Sequence, residues 1–191
     1  MNASEAMGKT MGKSIGMTMA LSPALALLPA LTLAAALVGA VPARAQSVQL
    51  LGDFRDWSAY TTANTADKLC FVISKPTAVE PAVEGADQPY FYVSHRPNEA
   101  VRYEMNLVSG VTLAPDAPAT AQIGGQAFTM FSEADAAWLE NIAQSADMAA
   151  AMRAGQSMTV EATTERGIRI RQTYSLSGAT ASMRAIDAEC R

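Results

Sequence analysis

The chain has 191 residues, 50% of them hydrophobic, and it carries 14 Lys and Arg against 18 Asp and Glu, a formal net charge of −4. A chain of this length fits one domain with its own apolar core. The acidic balance argues against nucleic acid or anionic lipid as a partner, because both attract basic proteins.

Residues 1–45 have the organisation of an export signal. Lys9 and Lys13 give a positive front, and an apolar run follows from about Met17 to Val41. The run closes on Ala43-Arg44-Ala45, which supplies the small residues that a signal peptidase requires. This pattern predicts that the segment is a signal peptide.

We predict cleavage before Gln46, so that residues 46–191 form the mature protein. An uncleaved membrane anchor is the alternative, since roughly 20 apolar residues span a bilayer, but Pro23 and Pro29 interrupt the run. The mature part contains no second run of that length. We therefore expect no membrane span after cleavage and a location in the periplasm, either free, associated with the outer envelope or secreted beyond it.

The two cysteines of the chain, Cys70 and Cys190, both lie in the mature part. In an oxidising compartment such a pair most simply forms a structural disulfide. A redox pair is the alternative, but it needs close spacing such as Cys-x-x-Cys, which the sequence lacks. We predict a bridge that closes nearly the whole mature domain into one loop.

Alternating or β-prone runs predict an antiparallel β-protein. In chain order the predicted strands are Val48–Leu51, Trp57–Thr62, Lys68–Ser74, Tyr90–Arg96, Val101–Ser109, Ala121–Ile123, Gln126–Phe131, Gln156–Thr164 and Gly167–Ser175. Thr77 to Pro89 is rich in Pro, Ala and acidic residues and is predicted to be a surface loop. Ala136–Asn141 favours no single element. Gly124-Gly125 and Glu165-Arg166-Gly167 are predicted hairpin turns, the first of type I′ with positive φ at both glycines.

Two helices are also predicted. Asp147 to Ala154 is short, with Ser145 or Asp147 as its cap and Gly155 as its stop. The second helix, Ala179–Cys190, is amphipathic, and its apolar face carries Ala179, Met183, Ile186 and Cys190. That face must lie on the sheet, which directs Cys190 towards Cys70. The pattern predicts a mainly β fold, an antiparallel sandwich of about seven to nine strands with a short helix and a C-terminal helix packed on the sheet.

His95 is the only histidine of the chain. A hydrolase built on it needs a serine presented from elsewhere and a carboxylate that orients the ring. Ser94 does not qualify, because neighbours on a strand point to opposite faces. We therefore assign no catalytic residue and predict a structural role for His95.

Metal and cofactor sites receive no support from the sequence. One histidine and two bridged cysteines make no zinc site, and the acidic residues of Glu80–Asp87 lack the EF-hand pattern. Gly124-Gly125 opens no helix that would bind a phosphate. No metal and no cofactor is therefore assigned.

Two groups of residues are candidates for a binding surface. Tyr90, Phe91, Tyr92 and Tyr103, with Trp57 expected nearby, are either a stacking surface for sugars or peptides or ordinary core and sheet residues. Arg169 and Arg171 share the outward face of one strand beside Arg166, which suits carboxylate recognition, or they form a solvated face paired with Glu161. The predicted contact residues are Tyr90, Tyr92, Arg96, Arg166, Arg169 and Arg171.

Several short segments occur in a recognisable order. They are Asp56-Trp57 with Tyr60, Cys70-Phe71, Tyr90 to Pro97, Ile123 to Phe128, Met152 to Gly155, Thr173 to Gly178, Ile186-Asp187 and Cys190. In this order they resemble the invasion-associated locus B family of exported alphaproteobacterial proteins, over about Phe54 to Cys190. The resemblance implies an envelope-associated protein with an immunoglobulin-like β-sandwich and, in some pathogens, a link to host-cell entry. It implies no catalytic residue.

The expectation from the sequence is therefore a non-enzymatic, exported, single-domain β-sandwich. It is expected to bind another envelope protein or an exposed ligand through its edge strands and Tyr90–Arg96. A hydrolase that uses His95 and a purely structural or stress-related envelope protein are the alternatives. The sequence does not define the oligomeric state.

Overall fold

The computed structural model describes residues 47–63 and 66–191. The predicted signal peptide and its cleavage site lie outside the described residues. In the part that is described, no helix combines the length and the apolar character needed to cross a bilayer.

Strands dominate the described residues. Strands β1 to β11 are Val48–Phe54, Trp57–Thr62, Cys70–Ser74, Ala78–Glu80, Tyr90–Arg96, Val101–Val108, Ala119–Ile123, Gln126–Glu133, Ala136–Leu139, Ser157–Thr163 and Arg169–Ser175. The two α-helices are α1, Ser145–Ala154, and α2, Ala179–Glu189. Short 3-10 turns occupy Pro97–Glu99 and Ile142–Gln144. The predicted mainly β architecture with one short and one C-terminal helix is confirmed.

All eleven strands of the described part belong to one antiparallel sheet in the order β1-β2-β3-β5-β6-β9-β8-β7-β10-β11-β4. The prediction of seven to nine strands was too low for two reasons. Ala78–Glu80, inside the predicted loop, pairs with the edge of β11, and Ala136–Leu139 is inserted between β6 and β8. Neither segment is β-prone by composition, so pairing with neighbouring strands decides its conformation. The immunoglobulin-like arrangement of two sheets stays a prediction.

The sheet curls over a single core. Five strands separate β5, which carries Phe91, from β11, which carries Tyr174, in the sheet order, yet the two ring centroids lie 5.7 Å apart. The side-chain amide of Gln172 donates to the Ser109 carbonyl at 2.7 Å and accepts from the Tyr174 hydroxyl at 2.7 Å. Since these polar groups are buried and satisfied, they hold strands β5–β6 and β11 in one fixed arrangement.

Both predicted hairpin turns are present. Gly124-Gly125 joins β7 to β8, but among the two glycines only Gly124 has positive φ, at 59°. The turn is therefore of the type II′ class rather than the predicted type I′. Gly167, with φ 77°, closes the β10–β11 hairpin, in which Ala162 pairs with Ile170.

Helix α1 begins at Ser145, two residues earlier than predicted, and neither predicted side chain caps it. Gln144 occupies the N-cap position without a side-chain hydrogen bond. Gly155 ends the helix, as predicted, and its N–H donates to the Ala151 carbonyl at 2.8 Å. The Ser145 hydroxyl is therefore not used by the helix.

Helix α2 packs against strands β1, β2, β3 and β5 at one end of the sheet. Its buried residues are Ala179, Ser182, Met183 and Ile186, which agrees with the predicted apolar face. The predicted bridge between Cys70 and Cys190 is present, with 6.0 Å between the two Cα atoms, and it fastens the end of the helix to β3. Gly178 precedes the helix with φ 96°, and a Cβ there would lie 1.7 Å from the Phe54 carbonyl oxygen, so only glycine fits this approach.

The carboxylate of Asp187 on α2 accepts hydrogen bonds from side chains on two other elements. Asp187 accepts from the Tyr103 hydroxyl at 2.7 Å and from Arg102 at 3.0 Å, both on β6, and from Arg153 on α1 at 3.3 Å. Tyr103 has φ 52°, a left-handed conformation that a bulky residue adopts only where its surroundings hold it. Arg102 and Arg153 also lie over the Tyr103 ring, at 5.5 and 4.9 Å from its centroid.

Candidate functional site

The outward face of strands β2, β3, β5, β9 and β8 carries aromatic side chains, in two groups that lie on either side of β6. Alternation along these strands sends one set of side chains into the core and the other set outwards. Six of the twelve Phe, Tyr and Trp residues of the chain point outwards here. They are Tyr60, Phe71, Tyr90, Tyr92, Phe131 and Trp138, and we call them the aromatic face.

Four of these rings form a connected row. Tyr60 stacks on Phe71 with centroids 5.2 Å apart, Phe71 lies 6.3 Å from Tyr92, and Tyr92 lies 6.1 Å from Tyr90. The row follows the cross-strand register, in which Tyr60 pairs with Phe71. Such pairs stabilise a sheet, but these rings are also half-exposed.

The remaining two rings continue the face on the other side of Asn106. Asn106 pairs with Tyr92 on one side and with Trp138 on the other. Trp138 in turn stacks on Phe131, with centroids 5.5 Å apart and an interplanar angle of 20°. Phe131 is 44% exposed. Large apolar rings left open to solvent in this way are characteristic of a contact surface.

The hydroxyl group of Tyr92 stays neutral at physiological pH. Burial raises the pKa of Tyr92 above its ordinary value, and the neighbouring Tyr90 raises it further. The ammonium group of Lys75 lies 5.7 Å from the centroid of the Tyr90 ring. The four-ring row therefore offers π faces and hydroxyl groups beside the ammonium group of Lys75.

A cavity lies at each end of the aromatic face. One, of about 570 Å³, is lined by Tyr60, Tyr90 and Lys75 among others. The other, of about 430 Å³, is lined by Phe131 and Trp138 together with the start of α1. Both volumes fall within the range of small-ligand sites.

Arg96, a predicted contact residue, lies beside the aromatic face but is held by two carboxylates. Its guanidinium donates to both carboxylate oxygens of Glu104, one of them at 2.8 Å, and to Glu99 at 2.8 Å. The Ser94 hydroxyl also donates to Glu104, at 3.3 Å. The Arg96 hydrogen bond, opposed in part by burial, lowers the pKa of Glu104. Arg96 is thus part of a local ion-pair network.

We expect the substitution Glu104→Gln to lower the free energy of unfolding by about 1 kcal/mol at pH 7, because the bidentate pair is only partly exposed. The folded pKa of Glu104 is depressed, so this contribution is present above the unfolded pKa and is lost as the pH falls through the folded pKa. Urea unfolding of both proteins from pH 3 to pH 7 measures it.

The matched control for that experiment is Glu161→Gln. Glu161 accepts from the Arg171 guanidinium at 2.5 and 2.9 Å, but both side chains are more exposed, at 39% and 56%. Solvent screens such a pair, so its loss should cost about 0.5 kcal/mol or less. Equal losses at the two positions would show that the Arg96–Glu104 pair stabilises the protein no more than the exposed Arg171–Glu161 pair does.

The three arginines of the predicted contact set lie elsewhere. Arg169 and Arg171 are exposed on the outward side of β11, and Arg166 is exposed in the β10–β11 turn. Phe91 and Tyr174 meet across the core, so the outward sides of β5 and β11 point in opposite directions. The structure therefore separates these arginines from Tyr90 and Tyr92, which share the aromatic face.

His95 lies on the inner side of β5, and its side chain is fully buried. Its nearest carboxylate oxygen, on Asp187, is 3.7 Å from Nε2, and the Tyr103 ring lies edge-on with centroids 4.6 Å apart. Neither ring nitrogen has a hydrogen bond of normal geometry in the described chain. The pKa of His95 is lowered to about 4, chiefly by burial and also by Arg102, while Asp187 and the Cys190 backbone act in the opposite direction. The imidazole is therefore neutral at pH 7.

The family model described as "Invasion associated locus B (IalB) protein" matches residues 57–187. The chain belongs to the IalB family. Searches among curated proteins and among solved structures gave no match.

The part of the chain that matches the IalB family contains the whole aromatic face, from Tyr60 to Trp138, and ends at Asp187. Within residues 47–63 and 66–191, no group of three or more His, Cys, Asp or Glu is arranged to hold a metal ion. The aromatic face with its two cavities is the candidate site of this IalB-family chain.

Sequence reasoning missed four members of the aromatic face of this IalB-family protein: Tyr60, Phe71, Phe131 and Trp138. For Trp57 the sequence left open a stacking surface or the core, and the structure places it in the core. Trp57 is 1% exposed, and its indole N–H donates to the Ser175 carbonyl at 2.9 Å. Phe91 is likewise buried. The Tyr103 hydroxyl donates to Asp187 instead of lying on the aromatic face. The one usable signal was the spacing of Tyr90 and Tyr92, two residues apart on one strand.

Proposed function

We propose that this IalB-family protein is an exported, non-enzymatic binding factor of the cell envelope, and that it contacts an envelope protein or an exposed ligand through the aromatic face. The observation that carries the proposal is the exposure of six aromatic rings along one side of the sheet. Aromatic residues dominate the energetics of recognition because they bury large rigid areas with few rotatable bonds.

Several observations support an envelope location. The first 45 residues have the charge, apolar run and small-residue site of an export signal. A buried disulfide that joins distant parts of one chain is typical of oxidising compartments. Membership of the IalB family points the same way.

The non-enzymatic part of the proposal is supported by the surroundings of His95. The ring is buried and neutral, and Ser94 on the same strand faces Glu104 on the outward side. A nucleophile and a base must lie within hydrogen-bond reach of each other. On this proposal the substitution His95→Leu leaves every cellular phenotype intact.

Crosslinking in living cells tests the contact surface. A photoreactive phenylalanine analogue replaces Tyr92, and in a matched control it replaces Arg169 on the outward side of β11. We expect a discrete crosslinked product from position 92 and none from position 169, and mass spectrometry then identifies the partner. Products of equal yield at both positions, or none at position 92, would contradict the proposal.

The substitution Tyr92→Ala should reduce capture of that partner at least about tenfold, as expected for an aromatic hot spot. Its free energy of unfolding should change by only about 1 kcal/mol, because the ring makes cross-strand contacts but little core contact. Affinity capture from periplasmic extract and urea unfolding measure the two effects. Full capture by Tyr92→Ala would remove the aromatic face from the interface.

A further inference from the structure

The cavity of about 430 Å³ differs from the rest of the aromatic face in its charge. It lies where β6, β8 and β9 meet the start of α1, and the stacked rings of Phe131 and Trp138 form one wall. Ile142 stands at its edge with 64% of its surface exposed. Three carboxylates also line it, those of Glu104, Glu133 and Glu140.

Two of these carboxylates are available to a ligand. Glu104 is held by Arg96, but Glu133 and Glu140 are exposed and form no salt bridge in the described part of the chain. The cavity therefore carries negative charge next to a π surface. The partial positive charge at the N-terminus of α1 amounts to about half an elementary charge, so two carboxylates outweigh it.

A buried hydroxyl at the same cavity also lacks a partner. Ser145 lines the cavity and is 6% exposed, and its hydroxyl makes no hydrogen bond to any residue that the structure describes. The first turn of α1 does not use this hydroxyl as a cap. Buried polar groups in native proteins are normally satisfied, so an unused hydroxyl at a cavity wall points to a polar ligand group.

A guanidinium group is the ligand group that fits the side chains lining this cavity. A planar cation stacks on a Trp or Phe face, and its N–H donors pair with carboxylates and hydroxyls. An anion would meet Glu133 and Glu140, and a purely apolar group would leave both carboxylates without a counter-charge. A lysine ammonium carries the charge but lacks the planar stacking surface.

We propose that this cavity binds an arginine side chain presented by a basic segment of a partner protein, with an apolar neighbour of that arginine resting on Ile142. The inference rests on the proposed binding function and names the chemistry recognised at one end of the aromatic face. The net negative charge of the chain attracts such a segment over a longer range.

Titration of the mature protein with the peptide acetyl-Leu-Arg-Leu-amide tests the inference. Trp138 lines the cavity whereas Trp57 is buried, so a fluorescence change on binding reports on this site. We expect saturable binding with a Kd on the order of 1 mM or tighter, in line with a ligand of this size. The same peptide with citrulline in place of arginine keeps the shape without the charge and should bind at least about tenfold more weakly.

The protein variant Glu133→Gln/Glu140→Gln should weaken the arginine peptide by at least about tenfold, because both counter-charges are lost. The control Glu165→Gln removes an exposed carboxylate from the β10–β11 turn and should leave the affinity unchanged. The absence of saturable binding, equal affinity for the citrulline peptide, or an unaffected double variant would each overturn the inference.

These outcomes are separable from those for the proposed function. If the partner crosslinks at position 92 and the double variant still captures it fully, the binding function holds and the arginine site fails. If no partner crosslinks at position 92 while the arginine peptide binds selectively, the cavity is a site but the aromatic face is not the interface.

Discussion

Simultaneous replacement of Cys70 and Cys190 by alanine will lower the free energy of unfolding by about 5 kcal/mol. The two cysteines are 120 residues apart, and a cross-link over a loop of that length removes about this much conformational entropy from the unfolded chain. Both side chains are buried, at 0% and 2% exposure. A loss of this size is comparable to the whole stability of many domains, so the variant should be partly unfolded at 37 °C.

Urea unfolding with and without dithiothreitol measures the effect of the bridge in the unmodified chain. The wild type should lose stability on reduction, whereas the double alanine variant should be insensitive to the reductant. The non-reduced mature protein should also be lighter by two hydrogens in mass spectrometry. Equal stability of oxidised and reduced wild type would refute the contribution of the bridge.

The stability of the wild type should fall by about 3 kcal/mol relative to His95→Leu as the pH drops from about 6.5 to about 4. The pKa of His95 is lowered to about 4 in the folded protein, against an ordinary value of about 6.5. Between these values the unfolded chain binds a proton that the folded chain does not, so unfolding becomes easier as the pH falls. Above pH 6.5 the His95 imidazole is neutral in both the folded and the unfolded chain, so it no longer makes the stability depend on pH.

The groups that surround the His95 ring act on its pKa in both directions. Arg102 and Arg153 disfavour the imidazolium, and Asp187 and the Cys190 backbone favour it, but burial outweighs the favourable contacts. Leucine removes the titrating group and the two unsatisfied ring nitrogens. The free energy of unfolding of His95→Leu should therefore differ little from that of the wild type at pH 7.5.

Urea unfolding of wild type and His95→Leu at intervals from pH 4.5 to pH 7.5 gives the pH dependence of the difference. Because His95 is the only histidine of the chain, its ring protons also give one unambiguous NMR titration. A midpoint near 6.5 in the folded protein, or parallel stability curves for the two proteins, would show that the ring is not held neutral by its surroundings.

Local patterns were sufficient to predict much of the architecture. The clean alternation in β6 and the Gly124-Gly125 turn depend only on neighbouring residues. The apolar face of α2 and the cysteine count together predicted the Cys70–Cys190 bridge, because there was no other partner for either thiol.

Other features depend on partners distant in the sequence. Apart from Trp138, the residues of β9 have no strong preference for a strand, and β9 is a strand because β6 and β8 flank it.

β2 shows why it is hard to predict which side chains of a strand face outwards. Trp57 and Ala59 alternate with Ser58 and Tyr60, and either set contains a large aromatic ring. In the structure Trp57 is the ring that packs in the core, where its indole N–H donates to the Ser175 carbonyl on β11.

The candidate site was predictable only in part for the same reason. Tyr90 and Tyr92 share a strand and therefore a side, which the sequence shows. Phe131 and Trp138 join them through the register of β5, β6, β9 and β8, which no local pattern determines. The sequence does not show the curl of the sheet, which places the arginines of β11 and the two tyrosines on opposite sides.

The distance along the chain between the bridged cysteines also sets a timetable for biogenesis. Ribosomes add about 5 to 20 residues per second, so Cys190 follows Cys70 by about 6 to 24 s given a separation of 120 residues. During that interval the first three strands lack their covering helix, and the Cys70 thiol has no native partner. Before Cys190 has been synthesised, an oxidant that reacts with Cys70 cannot form the native bridge, so correct pairing requires that the C-terminal helix be present first.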